Sequence, residues 1–270
     1  MPAGTRTGPG KPIVNMFPLE EGEKINAILP IKEFTEDRFI FMATSQGTVK
    51  KTPLSDFSNP RKAGIIAVAL DDDDFLIGAE ITNGAHDIIL VSDAGKAVWF
   101  DEEDVRPMGR TARGVRGMRL ADKQQVLSLL VAENDQQTVL VATENGFGKR
   151  TVLADFRHSG RGTQGVKAIA SSERNGKVVA ARLVQDSDEI MLITTGGVLI
   201  RTRVNEIREL GRATQGVTLI SLDAGEKLAG LEKVVETEDD AELVPGAGAD
   251  VTQEASPEAA QDPVQDEGQE

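Results

Sequence analysis

The stretch LVATENGFGKRTVLADF, residues 140–156, carries the pattern that decides the fold of this chain. Two short apolar runs flank the pair Asn145-Gly146, which is a strong signal for a tight β-hairpin turn. Similar stretches at residues 41–57, 89–105 and 192–207 align on Gly47, Gly95 and Gly197. The successive glycines are 48, 51 and 51 residues apart, which predicts a repeated β-rich unit.

A second glycine recurs in each unit. It lies in the stretches RKAGIIAVAL (61–70), RTARGVRGMRL (110–120), RGTQGVKAIA (161–170) and RATQGVTLISL (212–222), at Gly64, Gly114, Gly165 and Gly216. An apolar anchor follows each hairpin glycine by ten residues, at Phe57, Val105, Phe156 and Ile207. An earlier copy around Gly10 has no hairpin before it, so the sequence predicts four full units behind one truncated unit.

The runs between these marks are short, rich in β-branched residues and bounded by turns, and they show no long helical period. We predict an all-β, bladed fold with about four strands in each unit. In the first full unit the strands are expected at about 39–44, 48–53, 63–70 and 75–81. The predicted bounds are 1–37 for the truncated unit and about 38–86, 87–136, 137–187 and 188–235 for the full units.

Composition restricts the chemistry of the 270 residues. There is no cysteine and no tyrosine, which excludes thiolate metal sites and a tyrosyl nucleophile for DNA cleavage. The two histidines, His86 and His158, are far apart, so we expect no catalytic residue, no cofactor and no metal site. The longest apolar run, Ile65–Leu70, is too short for a membrane span, and the start of the chain lacks a signal-peptide core. The sequence predicts a cytoplasmic protein that does not enter a membrane.

The net charge of −14 is concentrated at the C-terminal end. Residues 236–270 contain twelve acidic residues and no Lys or Arg, and without them the chain has 30 basic and 32 acidic residues. With few aliphatic residues, this segment is predicted to be a disordered acidic tail. Two roles stay open: a solubilising terminus, or a polyanion that competes for a basic surface on the body of the protein.

Basic residues recur at equivalent positions of the units and predict a band that suits a continuous polyanion. One set follows the hairpin glycine by three or four residues, and the other stands about four residues before the second glycine. The candidate DNA-binding residues are Arg6, Lys50, Lys51, Arg61, Lys62, Arg110, Arg113, Lys149, Arg150, Arg161, Arg201 and Arg212. Trp99 and Phe100 occupy the first slot in the second unit, where core packing and base stacking both stay open.

Two motifs are interpreted as structural. Residues 160–165 match G-x-G-x-x-G, but no strand precedes them and no helix follows, as a dinucleotide site requires. The run Asp71–Asp74 lacks the ligand spacing, the glycine and the terminal Glu of a calcium loop. We expect a solvated turn at the second motif.

The repeat period, the loop residues and the acidic tail together resemble the C-terminal domain of bacterial DNA gyrase A. The resemblance runs from about residue 4 to residue 235, in segments such as FMATSQGTVKKT, GVRGMRL, ATENGFGKRT and GRATQGV. It implies a β-pinwheel, in which neighbouring blades exchange strands and a basic perimeter binds and bends duplex DNA. In the family this domain wraps DNA with positive handedness and supports negative supercoiling by the holoenzyme, with the rest of gyrase A and gyrase B as partners.

The sequence departs from the family pattern in two ways. The family has six blades, and its basic heptad close to Q-R-R-G-G-K-G is not found here; the nearest stretch is GTRTGPG at residues 4–10. The cleavage domain and its tyrosine are also not found, so the chain is interpreted as a fragment or a stand-alone relic that is not an enzyme by itself. The alternatives are a domain like the C-terminal domain of topoisomerase IV, which binds DNA without chiral wrapping, a propeller-type protein-interaction module and, last, an enzyme.

Overall fold

The computed structural model describes residues 22–61, 63–132, 134 and 136–234, together with residues 12, 15 and 19. The chain divides into two units, Met1–Val234 and Val235–Glu270, and the second lies outside the described residues, as does the predicted acidic tail. The described residues form β-strands and short 3₁₀ turns, with no α-helix among them. The strands are β1 (Phe39–Thr44), β2 (Thr48–Pro53), β3 (Leu76–Thr82), β4 (Asp87–Ser92), β5 (Lys96–Asp101), β6 (Val115–Arg116), β7 (Val126–Ala132), β8 (Thr138–Thr143), β9 (Phe147–Val152), β10 (Val166–Lys167), β11 (Val178–Val184), β12 (Glu189–Thr194), β13 (Leu199–Arg203), β14 (Val217–Thr218) and β15 (Leu228–Lys233).

Each repeat begins with a hairpin, and the predicted hairpin turns are confirmed. The hairpins are β1–β2, β4–β5, β8–β9 and β12–β13, and a 3₁₀ turn follows each of them, at Leu54–Phe57, Glu102–Asp104, Leu153–Asp155 and Val204–Glu206. The amide of each turn glycine donates to the carbonyl three residues earlier, over 2.9–3.0 Å. These glycines have φ between 73° and 84°, a left-handed conformation that glycine adopts without steric cost.

Each of the first three sheets combines strands of two successive repeats, which confirms the strand exchange of a β-pinwheel. The sheet orders are β3-β1-β2-β6, β10-β5-β4-β7, β11-β8-β9-β14 and β13-β12-β15. The two-residue strands β6, β10 and β14 each pair with the hairpin of the preceding repeat, for example Val115 with Val49. Each repeat therefore completes the sheet before it.

The second repeated glycine makes this exchange possible. Gly165 has φ 72°, and a Cβ added there would lie 2.2 Å from the carbonyl oxygen of Ala97 on β5. A Cβ added to Gly114 or Gly216 would likewise lie 2.4 or 2.5 Å from a carbonyl oxygen of the preceding hairpin. The recurrence of glycine in the sequence thus records a close approach between two backbones.

The core lies between neighbouring sheets, so the central strands are buried on both faces. In β4, Ile88 and Leu90 pack toward the first repeat, whereas Ile89 and Val91 pack toward the third, and all four are fully buried. The predicted anchors Val105, Phe156 and Ile207 are buried in these clusters, and Phe57 is half-buried. Phe100 lies in the cluster between the first and second repeats, and half-buried Trp99 packs against the cluster between the second and third, which favours packing over base stacking.

One strand prediction requires correction. The segment 63–70 is irregular, because the described residues contain no earlier hairpin with which it could pair. Its equivalents form the two-residue strands β6, β10 and β14, each of which pairs with the preceding hairpin. The first full unit therefore has three strands, β1 to β3, whereas each of the other full units has the four strands expected.

The close approach at Gly165 predicts the effect of a methyl group there. Gly165→Ala should cost about 1–2 kcal/mol for the left-handed backbone, plus a further ~1–3 kcal/mol because the methyl overlaps the Ala97 carbonyl. Gly64→Ala is the matched control, since Gly64 has φ 80° and nothing within 4 Å of its added Cβ. Urea denaturation measures both; equal losses would contradict the close-approach argument.

Candidate nucleic-acid interface

The exchanged strands define the outer side of the domain. Strands β3, β7, β11 and β15 contact one another in succession, which makes them the inner strands. At the opposite edges, the first three sheets end in β6, β10 and β14, respectively. The four loop segments that contain or correspond to these outer strands, 61–70, 110–119, 161–170 and 212–221, are called the rim loops below.

Backbone hydrogen bonds join each rim loop to the next. An amide five residues after the repeated glycine donates to a carbonyl two residues before the next one. The three bonds are Ala69 N to Ala112 O (3.4 Å), Arg119 N to Thr163 O (2.8 Å) and Ala170 N to Thr214 O (2.9 Å). The rim loops therefore form one continuous backbone band.

The arginines four residues before the glycines make a matching set of bridges. The Nη1 atoms of Arg110, Arg161 and Arg212 donate to the carbonyls of Ile66, Arg116 and Lys167, over 3.4, 3.1 and 3.3 Å. Each acceptor lies two residues after the glycine of the preceding repeat. Three arginines thus stand at equivalent points along the band, with donors to spare, because a guanidinium carries five N–H groups.

The other candidates in the loops and at the last hairpin differ in their surroundings. Arg61, Arg113, Arg161 and Arg201 are exposed, whereas Arg110 and Arg212 are half-buried. Arg113 is paired with Asp71, and Arg201 with Glu189. Arg6 and Lys62 lie outside the described residues.

Lys50 and Lys149 are interior residues, which corrects the expectation that they face a phosphate. Lys50 is 1% exposed, and its Nζ donates to the carbonyls of Ala67, at 2.6 Å, and Arg110. Lys149 is fully buried, and its Nζ donates to the Thr151 hydroxyl and the Gly211 carbonyl, both at 2.8 Å. Burial lowers the pKa of each lysine to about 8. Lys50 thus joins the rim loops 61–70 and 110–119, and Lys149 binds the residue directly before the rim loop 212–221.

The prediction that Lys51 and Arg150 contact phosphates is corrected for the same reason. Lys51 donates from Nζ to the Glu102 carbonyl over 3.1 Å and lies 5.1 Å from the centre of the Phe39 ring. Burial also lowers the pKa of Lys51. Arg150 donates from Nε to the Ile207 carbonyl over 2.7 Å and is paired with Asp186. Both cations tie one hairpin to the 3₁₀ turn and anchor of the next repeat.

Several exposed basic residues were missed by the sequence reasoning. Arg106, Arg157 and Arg208 each follow the apolar anchor by one residue, and all three are exposed. Arg116 and Lys167 follow the second glycine by two residues on the outer strands and are also exposed. Extending the repeat alignment by one position past the anchor would have found the first set.

The remaining sequence motifs have structural surroundings. Asp74 caps the first hairpin, accepting from the Ser45 hydroxyl at 2.7 Å and the Gln46 amide at 2.9 Å. Residues 160–165 lie between a 3₁₀ turn and β10, without a following helix. One group of possible metal ligands, Asp87, Asp101 and His158, occurs among the described residues. No helix in the described ranges is long and apolar enough to cross a membrane.

Comparison with known proteins agrees with this architecture. The family described as DNA gyrase C-terminal domain, beta-propeller, matches residues 38–83, 86–133, 137–185 and 188–234. The DNA gyrase A protein of Salmonella typhimurium (strain LT2) is 49% identical over 261 residues, which are 96% of this chain and 30% of that protein. The DNA gyrase A protein of Escherichia coli K12 is 47% identical over 260 residues, with the same coverage. The chain thus spans about 30% of the length of these curated relatives.

Two solved structures share the fold. The C-terminal domain of DNA topoisomerase IV aligns with a TM-score of 0.79 and 28% identity, covering 83% of this chain and 70% of that one. The DNA gyrase A C-terminal domain aligns with a TM-score of 0.75 and 30% identity, covering 83% and 75%. Because four matched repeats cover most of the chain, it belongs to the family of DNA gyrase C-terminal β-propeller domains.

Proposed function

We propose that this domain binds duplex DNA without base readout and bends it along the rim loops, as the C-terminal domain of a DNA gyrase A protein. The observation that carries the proposal is the bridge repeated by Arg110, Arg161 and Arg212. This bridge places guanidinium groups at regular positions along a continuous backbone band. Such an arrangement suits the regularly spaced phosphates of DNA. Phosphate contacts fix orientation on the duplex and carry no direct sequence information.

Bending sets the number of contacts that are needed. Bending 20–30 bp by 40–90° costs roughly 1–6 kcal/mol by elastic estimates, and a longer wrap costs more. One loop cannot offset this cost, whereas four linked loops present many cations. The proposed contacts are Arg6, Arg61, Lys62, Arg110, Arg113, Arg161, Arg201 and Arg212, with Arg106, Arg116, Arg157, Lys167 and Arg208 added from the structure.

The interior cations act indirectly in this proposal. Lys50 and Lys149 hold the backbone of the loops that carry Arg110 and Arg212, and they do not themselves touch DNA. Lys51 and Arg150 support the junctions between repeats. The wrapped surface therefore depends on both exposed arginines and buried cations that position them.

The wider role follows from the relatives. As a domain of DNA gyrase A, the chain would work with the rest of that protein and with gyrase B in supercoiling bacterial DNA in the cytoplasm. The contribution of the domain would be to hold DNA rather than to cleave it. The acidic segment 236–270 would compete with DNA for the rim loops.

A second candidate function is favoured by the alignment with the topoisomerase IV domain, whose TM-score is 0.79. On this alternative the domain binds DNA without imposing a chiral wrap. Nicked circular plasmid ligated over a titration of the protein, at low salt, distinguishes the two. We expect a positive linking-number shift after deproteinisation. Binding without any shift would favour the topoisomerase IV-like function.

The salt dependence of DNA binding tests the assignment of exposed and interior cations. Arg161→Ala should make the slope of log K against log salt less negative by about 0.9, because one phosphate contact is lost. Lys149→Met should weaken binding and leave the slope unchanged, because Lys149 contacts the Gly211 carbonyl. Fluorescence anisotropy of a labelled duplex at several salt concentrations measures both, with circular dichroism as the folding control. A flat salt dependence for the parent chain would overturn the proposed function.

Removal of the acidic segment tests the competition. Deleting residues 236–270 should tighten DNA binding, since a tethered polyanion has a high effective concentration at the rim loops. A matched chain keeps the length of the segment and replaces its Asp and Glu with Asn and Gln. We expect both chains to bind more tightly than the parent. Unchanged affinity in both would leave the segment only a solubilising role.

A further inference from the structure

Three possible metal ligands meet where the second repeat joins the third. Asp87 is the first residue of β4, Asp101 is the last residue of β5, and His158 follows the third 3₁₀ turn. The Nε2 atom of His158 lies 3.5 Å from an Asp87 carboxylate oxygen and 3.3 Å from one of Asp101. The ligand atoms of all three lie within 4.8 Å of one another.

The fold places the two carboxylates side by side. Asp87 and Asp101 are directly opposite in the β4–β5 hairpin. Like charges at opposite positions of an antiparallel pair are destabilising. A positive charge between them would offset the repulsion.

The imidazole comes from the next repeat and is held in a defined orientation. His158 forms a single bridge with Trp99, and the Ser159 amide donates to the Trp99 carbonyl over 3.0 Å. The His158 ring packs edge-on against Trp99, with 5.2 Å between ring centres. Backbone and ring contacts together direct Nε2 toward the two carboxylates.

The two distances from His158 to the carboxylates match tetrahedral coordination. Zinc bonds to imidazole nitrogen and carboxylate oxygen are about 2.0–2.2 Å long, which separates two ligands of a tetrahedral site by roughly 3.3–3.6 Å. The His158 nitrogen lies 3.3 and 3.5 Å from the carboxylate oxygens, within this range. The side chains of His158 and Asp101 are 39% and 60% exposed, so solvent can supply a fourth ligand.

We propose that Asp87, Asp101 and His158 bind a divalent transition-metal ion of the zinc type. The expectation of no metal site rested on the distance between the two histidines, and it did not consider carboxylates brought to one histidine by the fold. The bound ion would tie the hairpin of one repeat to the loop of the next. That loop also carries Arg157 and Arg161, and Arg161 donates from Nε to the Asp104 carbonyl over 2.9 Å.

The protein carries its own probe for this site. Trp99 is the only tryptophan, and it contacts His158. A titration of the full chain with Co²⁺ should quench its fluorescence in a saturable way, and Zn²⁺ should reverse the quenching by competition. Excess Mg²⁺ is included to occupy the carboxylates of residues 236–270, because Mg²⁺ prefers oxygen ligands and the proposed site contains nitrogen.

Variants decide between a metal site and a simple ion pair. His158→Asn and Asp101→Asn should each lower the Co²⁺ and Zn²⁺ affinities at least tenfold. His86→Asn, the matched control, removes the other histidine and should leave both affinities unchanged. Zn²⁺ should also raise the Tm of the parent and of the control, and not of His158→Asn, because an ion that binds only the folded state stabilises it.

Two results would overturn the proposal. One is quenching that is equally strong in His158→Asn and in the parent, which would place the ion elsewhere. The other is the lack of saturable quenching and of any Zn²⁺-dependent rise in Tm in the parent chain. In that case the histidine serves only as a polar partner of the two aspartates.

Discussion

The contact on which the rest of the structure depends is the one between the repeated glycine and the carbonyl of the preceding hairpin. At Gly165 the added Cβ would lie 2.2 Å from the Ala97 oxygen, so only a glycine allows the two backbones to pair. This contact allows each two-residue outer strand to pair with the sheet of the preceding repeat. The rim loops, the arginine bridges and the burial of the cations on β2 and β9 all follow from it, because each of them joins one repeat to the next.

The buried cations illustrate what strand exchange demands of the chemistry. Taking an ammonium group out of water is costly unless hydrogen bonds replace the lost hydration. Lys50 and Lys149 meet this demand with carbonyl and hydroxyl acceptors, and their pKa values of about 8 reflect the burial that is not fully offset. A carbonyl in a loop that has left its own sheet needs a donor, and a long side chain from the neighbouring hairpin reaches it. The interior lysines are thus a consequence of loops that must stay irregular to follow the rim.

The sequence predicts the fold well because repetition multiplies a weak local signal. One Asn-Gly pair predicts only a single hairpin, whereas four aligned turns with aligned anchors at Val105, Phe156 and Ile207 define a period. Exposure is predicted less well. Lys50 and Lys51 are adjacent and point to opposite faces of β2, so alternation would place one of them in solvent. Both are buried because the first sheet is covered on both faces. The segment 63–70 resembles its equivalents in sequence. A strand forms only in the equivalents, because each of them can pair with a preceding hairpin. The group of Asp87, Asp101 and His158 is hidden because its members belong to different repeats.

In the proposed function, the separation of basic from acidic residues matters more for holding DNA than the net charge. The first 235 residues carry almost equal numbers of basic and acidic side chains, so the body offers little long-range attraction. At 0.1 M ionic strength, charges are screened beyond about 10 Å, and a separated band of cations acts only on phosphates close to it. Affinity then depends on where each guanidinium stands rather than on how many there are. Because backbone pairing between repeats sets those positions, the proposed function implies that a change in the buried junctions would alter DNA binding as directly as the loss of an exposed arginine.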